Sequence, residues 1–356
     1  MTDVGIHSIG LFMPEHVRTN AWWPADEVER WRERMAHRAT STDQRPPDLS
    51  RGARAALDGM AAYPDAVRGA VRRRVMDDAM TSAEMEARAA RDAMARAGIT
   101  IDDVDVILGA SMCPEYLHVN HACQAHHLLG MRRDALVLST EGICNSFALH
   151  LTLAESLVRA GTARRVLSLH SSAMTRVQGA HEPHSAWFGD GAAAVVIGPV
   201  TAGRGLRGAD HNADGRGCAA LVLGVPGRRW WEAGPTSFHA VDHEATRAML
   251  LGIVDHATSA ITRALGRAGH RADEVGFYAS HQGTPWLTEV TQREAGLAHA
   301  RTLVTFPEYG NVSSVNLPLI LGLAERAGTL SDDMLAVTFA GGTGETWSSL
   351  VLRWGR

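Results

Sequence analysis

The sequence contains no lysine: all 35 basic residues among its 356 are arginine, which excludes covalent chemistry through a Schiff-base lysine. Cysteine is scarce as well. Cys113, Cys123, Cys144 and Cys218 show no CxxC or Cys/His ligand spacing, and four thiols in a chain of this length do not make a disulfide scaffold or a zinc ribbon. No window approaches the roughly eighteen uninterrupted apolar residues of a membrane span, and the opening MTDVGIHSIGLFMPEH lacks a basic region followed by an apolar core, so no membrane association and a cytoplasmic location are expected. A net charge of −4 argues against a nucleic-acid partner. What the chain does have is 45% hydrophobic residues, enough to bury a sizeable core or two fused half-cores.

Residues 4–12, VGIHSIGLF, alternate as an opening strand. Trp22-Trp23-Pro24, the charged run ADEVERWRERMAHRA and a polar Pro-containing segment over 40–50 form an excursion, read as a surface helix and loop in preference to the alternative, a substrate lid. SAEMEARAARDAMARAG, residues 82–98, is an alanine-rich helix with a Ser-x-x-Glu style start and a glycine end, and DVILGA, 105–110, is a buried strand. His121, His126 and His127 fall on the next helix, but spacings of five and six residues do not put three ligands on one face; no metal is expected.

The stretch 136–161, LVLSTEGICNSFALHLTLAESLVRAG, reads as strand, sharp elbow and helix, with Phe147, Leu151, Ala154 and Val158 at helical spacing and Gly161 as its stop. Cys144 sits at the elbow. The positive end of a helix favours thiolate over thiol, and the Cys144 amide points into the same space, where it can hold an oxyanion. Glu141 reads as an elbow residue, and Cys113, Cys123 and Cys218 as structural thiols.

The second half repeats the plan. GRAGHRADEVGFYAS echoes ARAGITIDDVDVILGAS, and AGGTGETWSSLVLRW echoes FGDGAAAVVIG as glycine turn and strand, so a duplicated α/β unit is expected, offset by roughly 150 to 170 residues. Strand carboxyl ends gather active sites. Cys144 follows one strand and His281, in Ser280-His281-Gln282-Gly283, follows its counterpart. Asn311 sits in the turn of YGNVSSVNLP. Cys, His and Asn from distant segments suit acyl-thioester chemistry, in which sulfur attacks and two donors receive developing charge. They also suit a protease-like arrangement in which His activates Cys and Asn orients His.

Six stretches, HACQAHHLLG, EGICNSFALHLTLAESLVRAGTARRVLSLHSS, WFGDGAAAVVIGP, SHQG, YGNVSSVNLP and AGGTGETWSSLVLRW, resemble the thiolase-fold condensing enzymes, most closely the β-ketoacyl-ACP synthase III family, in its order from about residue 80 to the end. The resemblance implies an α/β thiolase-like fold, a duplicated five-layer αβαβα architecture with mixed central sheets. Its halves would be 1–203, carrying the nucleophile and the excursion at about 20–75, and 204–356, carrying His and Asn. It also implies a homodimer, with Cys144 as acylated nucleophile, His281 and Asn311 as donors to a malonyl thioester enolate, and the Cys144 and Gly342 amides as oxyanion hole. Acyl-CoA or acyl carrier protein and a malonyl thioester would be substrates, and no cofactor is implied. The expected reaction is decarboxylative condensation to a β-ketoacyl thioester. The alternatives are transfer of the acyl group from Cys144 to a hydroxyl or amine, where an acid would replace Asn311, and a silent partner subunit.

The departures cluster around donor recognition. Ser146 stands where the family has glycine, and Gly283-Thr284 replaces Ala-Asn. The family's CoA-gripping Trp and Arg find only Arg74, in GAVRRRVM, as a remnant. His118 falls where a large apolar residue usually crosses the dimer to close the acyl pocket, which suits a short, functionalised or polar starter. These features fit a relative serving secondary metabolism. Asn316 and Glu308 flank Asn311 as competing polar groups, and Trp230-Trp231 has no assigned role.

Overall fold

The computed structural model describes residues 2–41 and 48–356, residues 35–41 by their backbone alone; the middle of the polar segment over 40–50 lies outside the described residues. The chain opens with β1 (Val4–Phe12) and a short hairpin of β2 (Val17–Thr19) and β3 (Arg72–Arg74), between which the excursion forms α1 (Ala25–Ser41) and α2 (Arg51–Ala61). Then α3 (Ser82–Ala97) leads to β4 (Val106–Met112), α4 (Ala122–Leu129) to β5 (Leu136–Ser139), α5 (Ser146–Arg159) to β6 (Val166–Ala173), and β7 (Asp190–Pro199) completes a sheet. The second half runs through β8 (Gly205–Ala213), a hairpin of β9 (Val222–Gly224) and β10 (Ser237–His239), α6 (His243–Ala268), β11 (Phe277–Ser280) and α7 (Leu287–Glu294). It ends with a one-turn α8 (Phe306–Tyr309), α9 (Asn316–Arg326), β12 (Leu335–Gly342) and β13 (Thr346–Arg353).

Each half contributes one mixed sheet. The first has order β1-β7-β6-β4-β5 and the second β11-β12-β13-β8, with parallel pairs β4/β5, β4/β6 and β11/β12 and the remaining neighbours antiparallel. Between the sheets lie α5 and α9: Phe147, Leu151 and Ala154 of α5 and Leu317, Ile320 and Leu321 of α9 share one core with Val106, Val195, Phe277 and Leu350 of the strands. Outside the first sheet, Met85, Ala89, Ala90 and Ala93 of α3 cover it. Outside the second, Ala257, Ile261 and Leu265 of α6 do the same. This is the expected five-layer αβαβα order. The alanines allow it: on both faces of the first sheet the helices approach closely, and Gly10 has no room for a Cβ, which would lie 2.1 Å from the Ala89 carbonyl.

The internal repeat is a local one. α3 ends at Gly98 and α6 at Gly269, both left-handed (φ 67° and 71°), and each is followed by a single 3-10 turn with its own capping box before β4 and β11. The helix start over 82–97 differs from the expectation by one residue. Thr81, not Ser82, is the cap, accepting from the Glu84 amide while the Glu84 carboxylate takes the Thr81 amide; Ser82 instead donates to the Cys113 carbonyl. The glycines of the final repeat also differ from expectation. Gly341 and Gly342 finish β12, and the turn proper is Thr343-Gly344-Glu345, with Gly342 paired to Thr346.

Candidate active site

Cys144 lies in a 3-10 turn, Ile143–Asn145, wedged between β5 and α5, so it precedes the helix rather than opening it. The elbow is tight: Ile143, a β-branched residue, has φ 48°, a left-handed conformation that costs about 1–2 kcal/mol. Ser146 stabilises it, its hydroxyl donating to the Ile143 carbonyl at 2.8 Å, which gives the residue in the family's glycine position a structural task. Beneath α5 runs a buried chain of hydrogen bonds: Thr140 Oγ1 to His150 Nε2 (2.7 Å), His150 Nδ1 to Ser168 Oγ (2.8 Å), and Ser168 Oγ to His170 Nε2 (2.7 Å).

The thiol departs from the thiolate expected of a helix terminus. Burial pushes Cys144 up to about 11, only partly opposed by the Ser313 hydroxyl and its own amide. A terminal dipole acts over one turn and through the intervening 3-10 residues, whereas the half-buried sulfur is surrounded by the apolar wall of its cavity.

His281 leaves β11 into the turn of Gly283, its amide bonded to the Phe339 carbonyl on β12 (2.8 Å). Burial drops its imidazole to about 4, so it is neutral at ordinary pH; the Ser313 backbone and the Asn316 side chain offset this in part without closing a hydrogen bond on Nδ1. Asn311 is pinned by its backbone to the Trp187–Gly189 segment (Asn311 amide to Trp187 carbonyl 2.7 Å, Gly189 amide to Asn311 carbonyl 3.1 Å). Its Oδ1 accepts from the Ser313 amide at 2.9 Å, so Nδ2 is the end left for the cavity. The two donors converge: a Cβ on Gly283 would lie 3.0 Å from His281 Nε2 and 3.8 Å from Asn311 Nδ2. Ser313, itself left-handed at φ 53°, ties the three together, because its Oγ is 3.5 Å from Cys144 Sγ.

Gln282, absent from the expected set, builds the arm that carries Asn311. Its Oδ-like carbonyl, Oε1, accepts from Thr305 N (2.7 Å), Thr305 Oγ1 (3.1 Å) and Phe306 N (2.9 Å), and its Nε2 donates to the Leu303 carbonyl (2.8 Å). Gly342 comes up against the elbow so closely that a Cβ there would lie 2.6 Å from the Gly142 carbonyl and 3.4 Å from Asn145 N.

Cys144, His281, Asn311, Ser313 and Gly342 all line one cavity of about 700 Å³. Beside the sulfur its wall is apolar, from Met112, Ile143, Phe188, Leu221 and Phe238, with the Phe188 and Phe238 rings edge to face at 5.4 Å. Another wall comes from the excursion, which is less superficial than its polarity suggests. Trp23 and Trp31 are buried against Ala66 and Ala186, Gly59 of α2 rests on the Trp286 ring, and Met60 and Arg68 reach the cavity. Arg73, fully buried, ties the excursion to the other side by donating to Asn20 Oδ1 (2.7 Å) and the Ala186 carbonyl, 4.5 Å over the Trp23 ring.

Two expected site residues, Arg74 and His118, and one competing group, Glu308, lie elsewhere. Arg74 points its guanidinium at the Pro14 and Glu15 carbonyls; it alternates with Arg73 across β3, and the arginine at the cavity is Arg68. His118 is exposed, left-handed at φ 69°, on a loop away from the cavity of its own chain. Glu308 pairs on the surface with Arg72 at 2.6 Å, so Asn316 alone of the two competing groups approaches the site. Among the thiols read as structural, Cys123 and Cys218 are exposed, and only Cys113 is packed, against Met174. His121 pairs with buried Glu86 (2.9 Å) and His126 donates to the Arg132 carbonyl (3.0 Å). Trp230 and Trp231 form an exposed T-shaped pair.

Comparison with known proteins agrees with this architecture. Residues 139–215 match the family model described as 3-oxoacyl-[acyl-carrier-protein] synthase III, and residues 265–354 match its C-terminal counterpart. The β-ketoacyl-[acyl-carrier-protein] synthase III of Roseobacter denitrificans is 30% identical over 298 residues, covering 80% of this chain and 88% of the relative; that of Sinorhizobium medicae is 29% identical over 293 residues, with coverage of 80% and 88%. Among solved structures, 3-oxoacyl-(acyl carrier protein) synthase III from Pseudomonas aeruginosa superposes with TM-score 0.79 at 23% identity, covering 99% of both chains. The priming β-ketosynthase of the R1128 polyketide pathway gives 0.78 at 22%, covering 99% of this chain and 96% of its own. With its thiolase fold and this level of identity, the chain belongs to the β-ketoacyl-acyl carrier protein synthase III family of condensing enzymes.

Proposed function

We propose that the protein is a ketosynthase-type transferase that carries out a decarboxylative Claisen condensation. Cys144 attacks an acyl-CoA or acyl carrier protein thioester; the new carbon–sulfur bond forms as the donor's breaks, and the thiol proton leaves with the donor thiol. Burial holds the thiol above its ordinary range, so the protonated sulfur is the resting form at neutral pH. A malonyl thioester then loses its carboxylate as carbon dioxide, and the electron pair moves onto its thioester oxygen, held by His281 Nε2 and Asn311 Nδ2. The enolate carbon attacks the acyl carbonyl, the Cys144 and Gly342 amides hold the transient oxyanion, and the sulfur leaves and regains a proton. The product is a β-ketoacyl thioester.

The convergence of two neutral donors on one point carries this reading. Neutral N–H groups stabilise an enolate without quenching it as an acid would. Transfer to a hydroxyl or amine would instead require His281 to act as a base backed by an acceptor at Nδ1. The groups acting on the imidazole are the Ser313 backbone and the Asn316 side chain, both neutral and neither a carboxylate, and Asn311 spends its own acceptor on Ser313. The names of the two relatives given above support condensation too.

The protein acts in the cytoplasm as a homodimer, in secondary metabolism. β5 is a sheet edge exposing Leu136 and Leu138, next to a loop exposing Tyr116, Leu117 and Val119; pairing through this edge would carry His118 toward the partner. No helix of the described residues is long and apolar enough to cross a membrane. The test is release of labelled carbon dioxide from malonyl-CoA by enzyme charged with an acyl-CoA, together with the intact mass of the charged protein. An acyl adduct lost in Cys144→Ala and carbon dioxide release dependent on that charging are expected; acyl transfer to an alcohol or amine without release would overturn the assignment.

A further inference from the structure

The wall of the cavity that continues from Gly341 and Gly342 carries ionisable and hydroxyl groups, unlike the Met112–Phe238 wall beside the sulfur. It is formed by Ile253 and His256 of α6 and by Thr343, Glu345, Thr346 and Trp347 of the β12–β13 hairpin. Glu345 stands there in a left-handed conformation, φ 59°, where glycine is the usual occupant of a hairpin and where strain held by a non-glycine residue points to function. Its carboxylate is mostly buried, 12% exposed, and fits only because residue 217 is glycine: a Cβ there would lie 1.8 Å from Glu345 Oε2. Opposite, the His256 imidazole lies flat on the Trp347 indole, centroids 4.0 Å apart and planes 16° from parallel. This presents its Nε2 3.6 Å from Glu345 Oε1.

That separation is too long for a hydrogen bond. An acceptor-only carboxylate and an imidazole therefore face one another with hydrogen-bonding capacity left over for a third group. An alkyl chain against this wall would desolvate both without satisfying either, and a terminal carboxylate would meet Glu345 with like charge. A hydroxyl can give its proton to Glu345 and accept from His256. We infer that the Glu345–His256 pair is a specificity subsite for an acyl chain bearing a hydroxyl group. The inference rests on the proposed acylation of Cys144, whose carbonyl lies by the same Gly342.

The experiment compares charging of Cys144 by 3-hydroxybutyryl-CoA and butyryl-CoA, followed by intact mass against time in the wild type, Glu345→Gln and His256→Phe. Gln keeps the size and the hairpin; Phe keeps the stack on Trp347 and guards against misfolding of the first variant. The wild type should charge the hydroxyacyl group about tenfold or more faster than the unsubstituted one, and both variants should bring the ratio to within about threefold of unity. Equal rates in the wild type, or a preference that survives both substitutions, overturn the subsite while leaving the acylation intact. Absence of an adduct from either thioester overturns the acylation itself, and this assignment with it.

Discussion

The Ser313 amide donates to Asn311 Oδ1 at 2.9 Å, and this one bond decides which end of the carboxamide meets the substrate. Replacing Asn311 by Asp keeps the bond to Ser313 and turns the other end from donor to acceptor. Condensation should fall about 10²–10³-fold, the usual cost of removing a donor to a developing oxyanion, while acylation of Cys144 persists. Carbon dioxide release and intact mass, measured on the same sample, separate the two; equal loss of both would show that Asn311 acts before the malonyl step.

The thiol should behave as a buried one. Its folded value of about 11 lies above the ordinary 9.0, so thiolate, and with it alkylation, should still be rising with pH beyond 9. Ser313→Ala, which removes a hydroxyl that lowers the thiol, should move the profile to higher pH. Iodoacetamide modification of Cys144 followed by mass spectrometry checks this, and a plateau near pH 8 would contradict it.

Acid should weaken the fold through its buried imidazoles. His281 and His150 are lowered to about 4 and about 3 from the ordinary 6.5, so the unfolded chain takes up their protons first. The stability they contribute is complete above about pH 6.5 and is lost as pH falls through their folded values, a change of several kcal/mol at roughly 1.4 kcal/mol per unit. Urea midpoints should drop between pH 7 and 4.5, and His150→Gln, which does not titrate there, should drop less over that range.

Gln282 is a buried amide with all four of its hydrogen bonds made to the segment 303–306. Gln282→Leu leaves backbone groups of Thr305 and Phe306 unpaired in the core, at a cost of about 2–4 kcal/mol. Because that segment leads to Asn311, condensation should suffer more than Cys144 charging; thermal melts and the two assays named above read each part.

The duplicated α/β frame was legible because its signals are local. Gly98 and Gly269 each end a helix, and each is followed by a cap and an apolar strand. Cys144, His281 and Asn311 were legible because each sits at a turn next to such a strand or helix. What was hidden depends on contacts between distant segments. The state of the Cys144 thiol follows from the Ser313 turn and the apolar cavity wall that meet around it. Arg74 and Arg73 read alike on a three-residue strand, and only the face each takes separates them. Trp23, just before a charged helix, and Trp31, within it, looked superficial until Ala66 and Ala186, from elsewhere in the chain, supplied their cover.

The excursion opens and closes on a ladder of three residue pairs between β2 and β3 and packs through its own small clusters; its second helix supplies the cavity rim through Met60, while the reacting groups stand on turns outside it. Such a division lets the doorway be remodelled without disturbing the machinery behind it. Exchanging residues 20–75 among related chains would thus change who is admitted and leave the reaction itself intact.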